Sequence, residues 1–150
     1  MKITKAYKGI TRQKNGDYVI TGDLISDEDI EIELDDWLRV TGSIISKKTI
    51  RIKKTIVAGN RIEAGDGIKA GLSIDCKWIK ARLRIFAGLC TWKNPSEEEM
   101  TITCEELKEG IIAFGRLNLI PKKEIKKMTV SEICKELGYD VEIVKENDDE

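Results

Sequence analysis

The chain contains no histidine, only two prolines, and aromatic residues at 5% of its 150 positions. Lacking histidine, it has no side chain that titrates unperturbed near neutrality to serve as general base or metal ligand. Its four cysteines, Cys76, Cys90, Cys104 and Cys134, show no CxxC spacing, so neither a zinc site nor a redox motif is expected. No apolar run approaches the roughly 18 residues that a membrane-spanning helix needs. Met1 leads directly into Lys-rich strand sequence rather than a signal peptide, and a cytoplasmic, non-membrane protein is expected. With 41% hydrophobic and 35% charged residues the chain reads as one globular domain with a real core.

What is abundant is isoleucine at a fixed period. Ile62, Ile68, Ile74, Ile79 and Ile85 recur at spacings of 6, 6, 5 and 6, and small residues such as Ala64 and Ala70 follow two places later. Residues i and i+2 of an extended segment point the same way, so each Ile-x-Ala pair shares one face and should point inward. A glycine follows at positions 59, 65, 71 and 88, read here as a corner that tolerates positive φ. Three hexads of six residues suit a triangular coil with one short strand per side. Stacked about 4.8 Å apart, such coils would set Ile56 under Ile74 and Ile68 under Ile85. The fold class expected is therefore mainly β, a single-domain parallel β-helix of about 18 residues per coil. The small residue follows the large one rather than preceding it, which favours the right-handed form.

Residues 1–36 are expected to form an N-terminal β cap and first coil, with strands at 2–7 and 17–21 joined through Asn15-Gly16. Residues 37–120 would be the solenoid, interrupted by an excursion loop at 91–101 (TWKNPSEEEMT). Residues 121–150 would close it with a short helix from Val130 to Leu137, capped by Thr129 with Glu132 and ended by Gly138, then a strand and an acidic tail.

The net charge of −1 conceals segregation. Residues 46–84 carry eleven basic and three acidic residues, whereas 1–45 and 129–150 are acidic. Lys47, Lys48, Arg51, Lys53, Lys54, Lys77, Lys80, Arg82 and Arg84, with Trp78 as a stacking surface, are candidates for binding nucleic acid or an acidic partner. The seven acids from Asp27 to Asp36 read as a solvated face. In later hexads the fourth place after the isoleucine becomes Leu72, Trp78, Leu83 and Leu89, either an inward cover or an outer stripe, with the inward cover preferred. Leu72, Leu83, Phe86, Leu89 and Trp92 are the candidate protein interface.

The array IEAGDGIKAGLSIDCKWIKARLRIFAGLC resembles short repetitive β-solenoid proteins of clostridia and their phages that carry I-x-A-G-x-x hexads. The ending MTVSEICKELGYDVEIV resembles a helix-strand tail of phage-associated proteins from such hosts. More remotely the coils are similar to bactofilins, right-handed solenoids that polymerise. These resemblances imply an accessory gene of a mobile element and no particular reaction. Hexapeptide acyltransferases and solenoid carbonic anhydrases need histidine, and a small triangular coil leaves no interior room for substrate, so no enzyme and no cofactor are expected. The function expected is a non-catalytic macromolecule-binding protein, a phage or mobile-element inhibitor of a host defence system. The alternatives are nucleic-acid binding through the basic middle and bactofilin-like self-assembly. The partner is accordingly an unidentified protein, a nucleic acid or a second copy, with no membrane.

Overall fold

A computed structural model describes residues 1–121. The expected C-terminal helix, strand and tail lie outside the described residues. In chain order the strands are β1 (Lys2–Ile3), β2 (Ile10–Arg12), β3 (Tyr18–Ile20), β4 (Leu24–Ser26), β5 (Ile30–Ile32), β6 (Leu38–Val40), β7 (Ile44–Ser46) and β8 (Ile50–Ile52). They continue as β9 (Ile56–Ala58), β10 (Arg61–Ala64), β11 (Ile68–Ala70), β12 (Ile74–Asp75), β13 (Trp78–Phe86), β14 (Thr101–Cys104), β15 (Glu106–Phe114) and β16 (Arg116–Leu119).

They form a three-walled parallel β-solenoid. Wall one is a seven-stranded sheet, β2-β3-β6-β9-β12-β14-β16, parallel except for β2. Wall two stacks β4, β7, β10 and the first halves of β13 and β15. Wall three stacks β1, β5, β8, β11 and the second halves of those two long strands. Ile56 pairs with Ile74 and Ile68 with Ile85, as the hexad count requires. Ile44, Ile50, Ile56, Ile62, Ile74, Ile79, Ile85 and Ile102 are all 0% exposed, so the interior is a filled stack of side chains. Cys76 and Cys104 occupy the inward small position on wall one as buried free thiols. Burial pushes both thiols up from their ordinary range, as expected for inert core cysteines.

Three expectations need correction. The corner glycines at 59, 65 and 71 do not have positive φ, unlike Gly88 at +80°. They are required because a Cβ there would lie 2.1, 1.9 and 2.1 Å from the carbonyl oxygens of Thr41, Lys47 and Lys53 in the coil below. Coil-to-coil approach, not torsional freedom, selects glycine. Next, the expected first strand, residues 2–7, is extended only at Lys2–Ile3, and the hairpin partner of β3 is β2 at Ile10–Arg12, outside the expected range. β1 is a short rung on wall three, and the hairpin through Asn15-Gly16 joins β2 to β3, with β2 covering the lower edge of wall one. Finally, Leu72, Leu83 and Leu89 form no common stripe. Each hexad advances one wall, so equal hexad positions fall on successive corners. Leu72 is buried (6% exposed) near the corner between walls three and one, Leu89 is 37% exposed at the same corner one coil above, its N–H donating to the Ala70 carbonyl, and Leu83 lies 47% exposed at the corner between walls two and three.

The coil length varies: Tyr18 to Leu38 is 20 residues, Leu38 to Ile56 and Ile56 to Ile74 are 18, and Ile62 to Ile79 is 17. Ile74 to Ile102 spans 28, ten more than 18, because the chain leaves the solenoid after Ala87 and returns at Thr101. That excursion contains a 3-10 turn at Glu98–Met100, closes where Met100 packs on Gly88, and is tied by Lys93–Glu99 at 2.6 Å.

Near the lower end, Lys5 Nζ lies 3.0 Å from Asp35 and the Tyr18 hydroxyl donates to Asp35 at 2.8 Å. The lysine first, and the tyrosine second, hold the Asp35 carboxyl down at about 2 instead of 3.8. A depressed folded-state value stabilises above the unfolded value of about 3.9 and is lost as pH falls through the folded one. Asp35→Asn should therefore lower the thermal midpoint at pH 6, and the gap to wild type should close between about pH 4 and pH 2. A gap that persists at the acid end would show that Asp35 acts through something other than its charge.

Candidate binding groove

The acids of residues 27–36 and the bases of residues 46–54 are one coil apart, and the coil stacks them. Asp27 meets Lys47 at 3.2 Å, Asp29 meets Arg51 at 3.4 Å, and Glu28 meets Lys48. Arg82 pairs with Asp66 at 3.0 Å. Four of the nine basic candidates, Lys47, Lys48, Arg51 and Arg82, are thus ion-paired. These exposed pairs contribute little stability each, but they interrupt the continuous positive surface expected from the sequence.

The ten basic and aromatic candidates do not share a face. Lys47 and Lys48 turn the corner from wall two to wall three, and Lys53 and Lys54 the corner from three to one. Lys77 turns the corner from one to two, Arg82 that from two to three, Lys80 points out from wall two, and Arg84 opens the wall-three part of β13. Trp78 is half-buried beneath cations, with Lys108 at 4.4 Å and Arg61 at 5.3 Å from its ring centroid. Its faces are used by the protein's own side chains.

Members of both candidate sets do come together on wall three. The outward column there runs Lys2, Glu31, Arg51, Lys69, Phe86, Phe114 in strand register. The beginning of the excursion, Leu89 to Trp92, forms a rim beside it and borders an open groove of about 550 Å³. Glu31 and Glu33 lie at its lower end, Arg51, Lys53 and Lys69 in its middle, and Trp92 at the rim. Lys54 Nζ sits 3.8 Å from the Trp92 ring centroid, and Trp92 remains 45% exposed. Gly71, required by the Lys53 carbonyl beneath it, leaves the groove side without a side chain at that rung. No family model, curated protein or solved structure matches the chain. The groove's chemistry must be read from its own residues.

Opposite charges face each other at Lys2 with Glu31, Glu31 with Arg51, Glu63 with Lys80, and Lys80 with Glu109. Among the described strand pairings, Arg51 with Lys69 is the one in which like charges stand in direct register. Such an arrangement is unfavourable in a sheet. Among the described residues neither Lys53 nor Lys69 has an ion-pair partner within 4.0 Å, and Arg51 has only Asp29. Lys69 was absent from the sequence candidates. Its signal was available: it occupies the outward place of Ile-Lys-Ala and lies 18 residues, one coil, after Arg51.

Proposed function

We propose that the chain is a non-catalytic recognition scaffold that engages a macromolecule along wall three. The observation that carries this reading is the excursion from Ala87 to Thr101. A repeating coil gains no core from this insertion, none of whose residues 91–99 is buried, yet its first residues are held over the wall as a rim. Insertions in solenoids collect on the face that binds, and long loops within compact folds usually serve function. The filled interior leaves the outer walls to carry recognition, and stacked rungs fix charges in rows that need no ordering on contact. The I-x-A-G-x-x array supports a setting in a phage or mobile element, where a rigid surface of this kind blocks a host defence protein. Among the described residues no helix is long and apolar enough to cross a membrane.

A photo-crosslinking amino acid at the exposed rim position Thr91 should yield a discrete adduct in a clostridial host lysate, while the same probe at Val57 on wall one yields none. The Thr91 adduct should disappear when Lys53 and Lys69 are changed to glutamate. Equal adducts from both walls, or none from either, would overturn the assignment of the face.

A further inference from the structure

We infer that the wall-three groove binds a nucleoside phosphate unit, with the phosphate held by Arg51, Lys53 and Lys69 and the base laid against Trp92. The inference deepens the wall-three reading and rests on it. Its starting point is the single like-charge pair in otherwise alternating ladders. Arg51 and Lys69 lie on neighbouring rungs, about 4.8 Å apart in the stacking direction. Lys53 opens the corner just after β8, and it is exposed and lines the same groove as Arg51 and Lys69. Three long cationic side chains thus line the middle of one groove, and among the described residues the carboxylates beside them are Asp29, ion-paired with Arg51, and Glu31, in register with Arg51, with none ion-paired to Lys53 or Lys69. An anion placed there provides the charge that the ladder omits, so an arrangement that costs stability in the free protein gains it on binding.

The ring partner follows from the rim. Trp92 is 45% exposed, and the cation Lys54 is stacked on it 3.8 Å from the centroid. An exposed indole beside a cationic cluster suits a ligand that combines a π-face with negative charge. The groove volume of about 550 Å³ lies within the range that accommodates such a unit. Glu31, in register with Arg51, and Glu33, ion-paired with Lys2 at 3.4 Å, lie at the lower end and oppose a second phosphate there. A long polyanion lying down the whole wall is disfavoured for the same reason. An acidic peptide would satisfy the lysines and leave Trp92 without a matching group.

Fluorescence anisotropy of a labelled single-stranded oligonucleotide of about eight residues, titrated with the full chain at low salt, tests this. AMP, UMP, inorganic phosphate and a glutamate-rich peptide serve as competitors. Binding should weaken with salt at a log–log slope of about −0.7, the value for one neutralised phosphate on a single strand. Lys69→Ala and Trp92→Ala should each weaken it about tenfold, and Lys47→Ala with Lys48→Ala should not change it. Competition by the mononucleotides identifies a free nucleotide as sufficient, whereas binding of the strand alone, still lost in both groove variants, identifies a unit within a strand. Phosphate competing as well as AMP, an unchanged Trp92→Ala protein, or equal loss in the Lys47/Lys48 variant would each overturn the proposal. So would no binding at low salt. Binding of the glutamate-rich peptide alone would also overturn it while leaving the wall-three scaffold intact, and the Thr91 adduct separates those failures. Because Lys69 is exposed, Lys69→Ala should fold with a thermal midpoint equal to or above that of wild type, so its loss of binding cannot come from unfolding.

Discussion

Gly65→Ala should destabilise the protein by about 3 kcal/mol, the upper end of what overpacking usually costs. The added Cβ would sit 1.9 Å from the Lys47 carbonyl oxygen and 2.6 Å from its carbonyl carbon. No rotamer change relieves this, because the obstacle is backbone that itself belongs to the coil-to-coil ladder. The Gly65 N–H donates to the Ser46 carbonyl at 2.9 Å, so moving the corner away also breaks that bond. Gly22 provides the control: its φ is +97°, and a methyl group added there would meet nothing within 4 Å. Gly22→Ala therefore carries only the torsional penalty, about 1–2 kcal/mol. Denaturant midpoints of the two variants decide the matter. If Gly22→Ala is the more damaging, corner torsion rather than stacking distance governs the repeat. Against a total stability of about 5–15 kcal/mol, a second corner substitution at Gly59 or Gly71 should leave little folded protein.

That result bears on what the sequence could disclose. The isoleucine period was sufficient to set the walls: Ile62 with Ala64 and Ile68 with Ala70 point inward, and the pairs Ile56–Ile74 and Ile68–Ile85 are in register. Glycine at the corner was legible as a position, but its cause was not, since one strand gives no measure of how near the next coil comes. The leucines at 72, 83 and 89 misled for a geometric reason. A six-residue repeat on a three-sided coil returns to the same wall only after 18 residues, so hexad neighbours are never stacking neighbours. Leu72 and Leu89, 17 residues apart, share a corner in successive coils, yet Leu72 is buried and Leu89 is exposed.

The charge pattern misled in the same way. Net charge by segment placed acids in one region and bases in another, whereas stacking brought Asp27, Glu28 and Asp29 against Lys47, Lys48 and Arg51. The 20-residue first coil sets that pairing, and its length depends on turns that carry no hexad signal. Reading charges at the coil spacing rather than along the chain exposes the one mismatch, Arg51 with Lys69, and so locates the candidate groove. Trp92 could be named as a surface residue, but its place over Lys54 depends on how the excursion folds back, which local sequence does not specify.

Ile62→Ala should cost about 4 kcal/mol, towards the upper part of the range for removing a large buried aliphatic side chain. Ile62 is 0% exposed in the wall-two column Leu24, Ile44, Ile62, Ile79, Leu107. The spread within that range depends on how far neighbours can close the cavity. Here they cannot move far, because continuous backbone ladders hold each wall at its stacking distance and the three walls brace one another. Leu119→Ala in the last described rung of wall one should cost less than about 0.5 kcal/mol, since Leu119 is 55% exposed, although it follows Cys104 (0% exposed) in register. Each rung in a solenoid is stabilised mainly by its neighbours, so the loss at Ile62 should also be felt in amide exchange. Protection in β7, β10 and β13 should fall together, with β2 and β16 little changed. Equal costs at positions 62 and 119, or exchange that rises uniformly through every wall, would mean that the described coils unfold as one unit and not as a stack of coupled rungs.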